Sequence, residues 1–336
     1  MKNRIALLTT LSVAAALLAA CGGGGGGSST TTSSGTGSTN PASGGTTTSS
    51  ATAGIPGTLS AETYTTASVN KAMFDTLNQQ RTACGFVAYR ENSILDQAAT
   101  NHASYDSLNS VVTDTEVSTN PGYTGVTYAD RAVPLGLAAT YHTTGGSAGY
   151  YTNATLTDTQ YGQQLAYEWM SGVYHIALVT WPFTDAGVGS AQTTSGGFPV
   201  VSGTISLANA QPIVTNAPLT FPCQGTTGVP YESTGESPTP PNTSGPWGMP
   251  IAVTGNPTDT IVLTSGTITS PSNVVTPLQV LDSANDPNIL LPTFEGVAYS
   301  TSPLAANTTY SVNLVGTYNG SAFTKTFTFT TGNVTG

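Results

Sequence analysis

Apolar side chains recur at helical spacing in three stretches of the first half of the chain, which begin at Val69, Leu95 and Tyr161. A recurrence every three or four residues places these side chains on one face of a helix. Ser68 precedes the first stretch, and its hydroxyl group suits the N-cap position. The pattern therefore predicts three amphipathic helices. The strand-like runs that follow the third helix are 186–191 and 198–208.

The second half of the chain changes to the period of a β-strand. From Ile251 onward, short apolar or alternating runs are separated by turn residues, and Asn319-Gly320 is a strong signal for a hairpin turn. Evenly spaced short strands are typical of a β-sandwich. Residues 304–310 and the Phe/Thr strand after them resemble bacterial Ig-like or fibronectin-like modules. The predicted strands are 261–263, 274–281, 289–291, 310–315 and 323–329.

A proline-dense stretch separates the two halves. Its prolines crowd into 236–241 and 246–250, where neither a helix nor a central strand can continue. The sequence therefore predicts an extended connection between two domains. We expect the first domain at 61–224, a Pro-rich linker at 225–250 and a β-sandwich domain at 251–336.

The N-terminal residues have the pattern of a bacterial lipoprotein signal peptide. Lys2 and Arg4 precede an apolar run, 5–20, that is too short to cross a bilayer as a mature helix, and small residues lead directly to Cys21. Cleavage before Cys21 would allow this cysteine to carry several acyl chains, which is enough for stable anchoring. The alternative is an ordinary secretory peptide followed by an accidental cysteine.

The sequence after Cys21 predicts a flexible tether and a place in the cell envelope. Residues 21–60 consist largely of Gly, Ser and Thr, and such chains behave as flexible coils. Gly22 stands where an aspartate would retain a lipoprotein in the inner membrane. We therefore expect an exported, lipid-anchored protein, located in the outer membrane if the source is Gram-negative.

The charge of the chain excludes one class of partner. Only 7% of the residues are charged, with 17 acidic residues against seven basic ones. Removal of the signal peptide takes away Lys2 and Arg4, so the mature chain is still more acidic. A nucleic acid needs a basic surface, and this chain has few residues from which to build one. We therefore expect no nucleic-acid partner.

Two cysteines remain if Cys21 is lipidated. Cys84 and Cys223 in an exported chain predict a disulfide bond, which would join the end of the first helix to the segment that leaves the first domain. The alternative is two free thiols.

Candidate site residues follow one another in a suggestive order: Asp114 and Glu116, a glycine-bracketed turn at 121–125, Arg131, and then Tyr174-His175. Together with the helices, this order resembles the CAP superfamily, which comprises cysteine-rich secretory proteins, antigen 5 and pathogenesis-related proteins of class one. The resemblance covers 68–207. It implies an α+β fold, an alpha-beta-alpha sandwich followed here by the all-β sandwich, and a cleft lined by two histidines and two acidic residues.

The resemblance transfers only part of that cleft to this sequence. His175 matches the second histidine of the family and Glu116 matches the first acidic residue, whereas Asp114 stands where a histidine is usual. The second acidic position is vacant, because 132–157 contains neither Asp nor Glu. Some family members bind a divalent metal, and Asp114, Glu116 and His175 are the candidate ligands for one here.

Each candidate residue also has a structural interpretation. Glu116 would pair with Arg131 or accept hydrogen bonds from nearby backbone N–H groups. His102 lies on the apolar face of the second helix, which favours a core histidine with internal partners. His142 lies in a Gly/Thr-rich stretch, where solvent exposure is the default.

The leading functional hypothesis is a non-catalytic binding or interaction module that takes a lipid, a small apolar ligand or a surface partner. Its candidate cavity residues are Asp114, Glu116, Arg131, Tyr174 and His175. A second hypothesis is a metal-dependent hydrolase in which His175 is the general base and Glu116 orients it or binds the metal. A third is a structural spacer or adhesin. We assign no catalytic residue and no required cofactor.

Overall fold

The computed structural model of the protein describes residues 54–336, and these residues form one compact unit. The predicted signal peptide, the lipidation site at Cys21 and the predicted tether as far as residue 53 lie outside the described residues. Residues 54–60, the last part of that tether, contact the folded body. Ile55 is 6% exposed and packs with Leu95 and Ala98 of the second helix.

The three predicted helices are confirmed. The Ser68 hydroxyl accepts the N–H of Lys71 at the start of the first helix, and the Asn92 side chain caps the second in the same way. Thr157 and Gln160 form a reciprocal capping box at the start of the third. The α-helices of residues 54–336 are α1 Val69–Ala83, α2 Ser93–Asn109, α3 Tyr128–Ala132, α4 Asp158–Ser171 and α5 Ala177–Thr180.

The first sheet holds the helices in place. Its strands are β1 Arg90–Glu91, β2 Thr143–Tyr151, β3 Phe183–Ser195 and β4 Phe198–Ala210, in the order β1-β3-β4-β2. The predicted strands 186–191 and 198–208 lie inside β3 and β4 and are confirmed. Strand β2 was not predicted, since its sequence TTGGSAGYY lacks an apolar alternation.

Two faces of the first sheet receive different helices. On one face α2 lies so close to β3 that a Cβ atom at Gly189 would be 2.1 Å from the backbone nitrogen of Thr100, which only glycine avoids. On the other face α1 and α4 pack over β4, where Gly203 faces Met73 and Leu165. The candidate site lies beside the edge strand β2, where Ser147 contacts Asp114 and Gly146 contacts His175.

The remainder of the chain builds two further sheets. One has the strand order β10-β11-β7-β5 and the other β6-β13-β12-β8-β9. Asn319 and Gly320 both have positive φ angles in the β12–β13 hairpin, as the Asn-Gly signal predicts. The strands are β5 Leu219–Phe221, β6 Thr227–Val229, β7 Ile251–Thr254, β8 Ile261–Thr269, β9 Val275–Pro277, β10 Gln279–Asp282, β11 Glu295–Tyr299, β12 Thr309–Tyr318 and β13 Ser321–Thr331.

The predicted fold class is wrong. The structure is mostly β, with 34% strand and 20% helix in three sheets rich in antiparallel pairs, and it is not an α+β alpha-beta-alpha sandwich followed by an all-β sandwich. The error arises because helical periodicity is conspicuous in this sequence, while much of the strand content lies in runs of Thr, Ser and Gly. Strands β3 and β4 have 13 residues each, longer than their apolar cores suggest.

The predicted strand at 289–291 is also wrong. Ile289 has a φ of 56° and Leu290 and Leu291 donate their N–H groups to the Asp286 carboxylate, so this segment is a turn organised by one side chain. Turns of this kind are typical of Asp, which bonds to backbone groups a few residues ahead.

The segment after residue 224 is bound to the first sheet and its helices by several contacts. The predicted disulfide between Cys84 and Cys223 is present, with Cα atoms 5.5 Å apart. Trp181 donates its indole N–H to the Glu295 carboxylate, and the indole of Trp247 donates to the Ser171 carbonyl. The predicted boundary at 225–250 stays a prediction, but the residues on its two sides share a buried interface. Within 54–336, no helix has the length and apolar character needed to cross a membrane.

Candidate functional site

The site contains two buried histidine–carboxylate pairs. The first consists of His102 on α2 and Glu116 in the loop after it, and their Nδ1 and Oε1 atoms are 2.8 Å apart. The other ring nitrogen of His102 is 2.6 Å from the Thr113 carbonyl oxygen. Both ring nitrogens therefore lie against oxygen atoms of the protein. His102 is fully buried with internal partners, as predicted, and His142 is exposed.

The Glu116 carboxylate accepts further hydrogen bonds from the loop in which it lies. It accepts the backbone N–H groups of Thr124 and Gly125, and Arg131 lies 3.9 Å away. Burial raises the pKa of Glu116, but the hydrogen bonds from His102 and from these N–H groups outweigh burial, so the pKa falls below its ordinary value. The structural interpretation of Glu116 as an acceptor for backbone N–H groups is confirmed.

Asp114 lies beside this pair, at the open edge of strand β2. Its Oδ1 atom accepts the Tyr128 hydroxyl at 2.9 Å and the backbone N–H of Ser147 at 3.0 Å. Arg131 donates to the Asp114 carbonyl oxygen rather than to the carboxylate, at 3.1 Å. Burial raises the pKa of Asp114, and the nearby His175 and the Tyr128 hydroxyl only partly offset it.

The second pair consists of His175, in the turn after α4, and Glu236. The His175 ring donates from Nδ1 to Glu236 Oε1 at 2.6 Å. The same carboxylate accepts the backbone N–H groups of Val173, Tyr174 and His175 at 2.8–2.9 Å. A single carboxylate thus accepts the three consecutive backbone N–H groups of this turn. Gly172 is required beside it, since a Cβ there would lie 2.6 Å from Glu236 Oε1.

Glu236 favours the protonated form of the His175 imidazole. Burial lowers the pKa of this imidazole, but the hydrogen bond and the negative charge of Glu236 outweigh burial and raise it above its ordinary value. The Nε2 atom of His175 is buried and has no hydrogen-bond partner among residues 54–336. It faces the backbone of Gly146 in β2, whose missing side chain leaves room for the ring.

Tyr174 lies at the contact between the turn after α4 and the segment before β11, not in a cavity. Its hydroxyl donates to Asp286 Oδ1 at 2.9 Å and accepts the Asn288 side-chain N–H at 2.7 Å. Burial raises the pKa of Tyr174, with Asp286 adding to the effect. Tyr174 therefore fastens the His175 turn to the segment that precedes β11.

The structure brings together some of the predicted site residues. Asp114, Glu116 and Arg131 are in contact, while His175 and Tyr174 make their hydrogen bonds to Glu236 and Asp286. The hydrogen bonds of residues 54–336 do not include one between His175 and Glu116, which the orienting role of Glu116 in the hydrolase hypothesis requires. The same residues contain no group of three or more His, Cys, Asp or Glu side chains placed to hold a metal ion.

Sequence reasoning missed Glu236. The vacant acidic position was sought in 132–157, and the carboxylate that reaches His175 comes instead from the proline-rich segment 61 residues after it. The available signal was that Glu236 is an ionisable residue amid prolines, threonines and serines. A carboxylate in such a polar segment can be exposed and hydrated by water, so the burial of Glu236 could not be inferred from the composition of the segment.

An open cleft lies next to the first pair, between the C-terminal part of α2, the C-terminal ends of β2 and β3 and the beginning of β4. Its volume is about 350 Å³, and seven of its ten lining residues carry a hydroxyl group. Exposed residues such as Thr194 and Ser110 form its mouth, and buried Ser202 and Asp106 lie at its inner end. The lining residues are Asp106, Ser107, Ser110, Val111, Tyr151, Thr193, Thr194, Ser195, Val200 and Ser202.

A second depression, of about 460 Å³, lies beside the start of α1. Its two more buried carboxylates already have protein partners: Glu91 accepts the backbone N–H of Thr63, and Asp96 accepts the Tyr64 hydroxyl, while the third acidic residue, Asp158, is exposed. These bonds fasten the segment before α1 to the body. The depression therefore has a structural explanation that the first cleft lacks.

No family model matches the chain, and no curated protein matches it. The resemblance to the CAP superfamily therefore stays a prediction.

Proposed function

We propose that the protein is a cell-envelope binding module, anchored to a membrane through Cys21, whose cleft at the end of α2 takes up a small polar ligand. The observation that carries the proposal is the cleft itself. It is concave, reaches from exposed hydroxyl groups to the buried Asp106, and has the volume of a small-molecule site.

The lining favours a polar ligand over the lipid or apolar ligand that the sequence alone suggested. Only Val111 and Val200 are aliphatic, and Tyr151 is the single aromatic side chain among the ten lining residues. A ligand that could not form hydrogen bonds would strip water from the hydroxyl groups without replacing it, which costs free energy at each one.

The two histidines support binding rather than acid–base catalysis. A general base needs a ring nitrogen within hydrogen-bond reach of the substrate. His102 has both nitrogens bonded to protein acceptors, and His175 holds one against Glu236 while the other faces buried backbone. Their hydrogen bonds instead stabilise the loop that carries Asp114 and the turn after α4.

The tether and the charge suit a module held away from the membrane surface. The Gly/Ser/Thr-rich tether of about 35 residues that the sequence predicts would have a root-mean-square span of roughly 30–35 Å, which would clear the headgroups. The chain has a formal charge of −10 before any processing, so anionic lipid would repel the folded part.

Hydrogen–deuterium exchange on the full-length lipidated protein in detergent tests the binding role. A panel of small polyols, amines and fatty acids would be added in turn, and we expect a polar compound to slow exchange in 106–111 and 193–202. Val111→Trp fills the mouth of the cleft and should abolish that protection. Protection by a fatty acid alone, or protection confined to other segments, would contradict the proposal.

Anchoring is tested separately. Cys21→Ser should move the protein from the membrane fraction to the soluble fraction of the envelope and abolish incorporation of labelled palmitate. Retention of Cys21→Ser in the membrane fraction would show that another feature holds the protein there.

A further inference from the structure

Asp106 is the one carboxylate in the cleft, and its environment is unusual. It lies on α2, is 0% exposed, and neither of its carboxylate oxygens has a hydrogen-bond partner among residues 54–336. Buried carboxyl groups in proteins are normally hydrogen-bonded, whether ionised or protonated, because loss of their hydration without a replacement costs free energy. A carboxylate that has no partner inside the protein and stands at the end of a cleft indicates a partner that enters from outside.

The groups around Asp106 do not supply that partner. The backbone N–H of Thr113 and the hydroxyl of Ser147 lie near enough to lower its pKa, but neither meets its carboxylate oxygens with the geometry of a hydrogen bond. His102 Nε2 is 4.0 Å from Asp106 Oδ2, but it donates to the Thr113 carbonyl instead. Arg131 lies nearby and directs its terminal N–H groups to backbone carbonyls of 114, 125 and 126. Asp114 is a second acid and repels negative charge on Asp106. Tyr151, from β2, donates its hydroxyl to Asn153.

We propose that the cleft binds a small organic amine, whose ammonium group donates its N–H groups to the Asp106 carboxylate. This inference rests on the proposed binding function and names the ligand class of the same cleft. An ammonium group is a donor without acceptor capacity, so it complements a carboxylate, which only accepts. The hydroxyl groups of Ser202 and Ser107 can accept the remaining N–H groups.

Competing ligand classes fit less well. A metal ion needs several protein ligands, and the described residues offer no group of three. A neutral polyol would place no positive charge against the buried carboxylate. An anion would meet Asp106 without any basic residue among the ten that line the cleft. The negative charge of the whole chain also attracts cations to its surface.

Binding of an ammonium group should be linked to proton release. Burial, together with the charge of Asp114, raises the pKa of Asp106 to about 8, so the free protein holds a proton there at neutral pH. The ammonium ion pairs with the ionised form and must displace that proton. Affinity should therefore rise as the pH increases through about 8, up to the region near 10 where the amine itself loses its charge.

Isothermal titration calorimetry with 1,5-diaminopentane, and with pentane-1,5-diol as the neutral counterpart, tests the proposal on the full-length lipidated protein. We expect the diamine to bind more tightly at pH 8.5 than at pH 6.5 and the diol to bind at least about tenfold more weakly. Asp106→Asn should reduce diamine affinity at least about tenfold. Asp75→Asn removes the same charge from an exposed site on α1 and should leave affinity unchanged.

The outcomes separate the two proposals. If Asp106→Asn fails to fold, Val111→Trp provides the second variant, and it should block the diamine without altering Asp106. Equal affinity for diol and diamine, with both blocked by Val111→Trp, would overturn the amine inference and leave the binding cleft intact. Diamine binding that is unchanged in both Asp106→Asn and Val111→Trp would overturn the inference as well, because the amine would then bind elsewhere. Absence of any diamine binding would also overturn it.

Discussion

The two histidine–carboxylate pairs use the same chemistry over very different distances along the chain. His102 and Glu116 are 14 residues apart, and their other backbone partners, Thr113, Thr124 and Gly125, all lie in the loop between α2 and α3. His175 and Glu236 are 61 residues apart, and their contact joins the turn after α4 to the proline-rich segment. The first pair organises one loop, whereas the second holds two parts of the molecule together.

This difference predicts which of the two carboxylates contributes more to the free energy of unfolding. Loss of a local carboxylate loosens a loop whose ends remain fixed by α2 and α3. Loss of the distant carboxylate leaves three backbone N–H groups and a buried imidazole without an acceptor, and it also removes a contact between segments. Removing one partner of a buried pair is costly because the other stays buried and uncompensated.

The largest expected effect is that of Glu236→Ala. We expect the free energy of unfolding to fall by about 3–5 kcal/mol, because the donors of the His175 turn lose their acceptor. Urea denaturation followed by tryptophan fluorescence measures it. Glu232→Ala, four residues earlier on the same segment and only half-buried, is the matched control and should cost less than about 1 kcal/mol. Equal losses for the two variants would remove the special role given to Glu236.

Glu116→Ala should cost less, about 2–3 kcal/mol, since the charged hydrogen bonds of Glu116 join only one loop and the adjoining helix α2. The same denaturation experiment applies, and exchange of the Thr124 and Gly125 amide protons should become faster while that of 173–175 stays unchanged. A loss larger than that of Glu236→Ala would reverse the comparison between the two pairs.

Tyr174→Phe tests the fastening of the second pair to Asp286. The variant removes one hydroxyl and keeps the ring, so we expect a loss of about 1 kcal/mol. Tyr123→Phe is the control, because Tyr123 is 39% exposed and its hydroxyl can bond to water. If the two substitutions cost the same, Tyr174 contributes through its ring alone.

The smallest expected effect is a difference in pH dependence between the pairs. The pKa of His175 is raised above its ordinary 6.5, so its contribution is complete below that value and is lost as the pH rises through the folded-state pKa. The pKa of Glu116 is lowered below its ordinary 4.5, so its contribution is complete above that value and is lost as the pH falls through the folded-state pKa.

Two isosteric variants turn this difference into a measurement. The cost of Glu236→Gln should be greatest below pH 6.5 and shrink in alkaline solution, and the cost of Glu116→Gln should be greatest above pH 4.5 and shrink in acid. Each cost is the difference from the parent at the same pH, which cancels other groups such as Glu295, whose burial raises its pKa to about 8. Costs that do not change with pH would disprove the linkage.

Local signals in the sequence predicted the helices well. The spacing of Val69, Met73 and Leu77 after the Ser68 cap gave α1, and the Asn319-Gly320 pair gave the last hairpin, because both depend on neighbouring residues. The disulfide followed from the export signal and from the count of cysteines. Fold class was mistaken because strands of Thr, Ser and Gly carry no periodic signal.

Only part of the candidate site could be predicted from the sequence, for a related reason. Glu116 and His102 lie close together in the sequence, so their structural roles could be anticipated from helix face and loop position. The Glu236 contact depends on a chain reversal that no local pattern encodes. Asp106 was overlooked as well, although it is one turn after His102 on α2, because an acidic residue on a helix is normally exposed.

The central claim is that the buried pairs maintain the fold while the cleft at Asp106 binds the ligand. The most direct test compares Glu236→Gln with Asp106→Asn at pH 8.5, with urea unfolding and 1,5-diaminopentane affinity measured on the same full-length preparations. We predict that Glu236→Gln lowers the free energy of unfolding and keeps the affinity, whereas Asp106→Asn keeps or increases stability and lowers the affinity at least about tenfold. If instead Glu236→Gln abolishes diamine binding in folded protein and Asp106→Asn leaves it intact, the claim is contradicted.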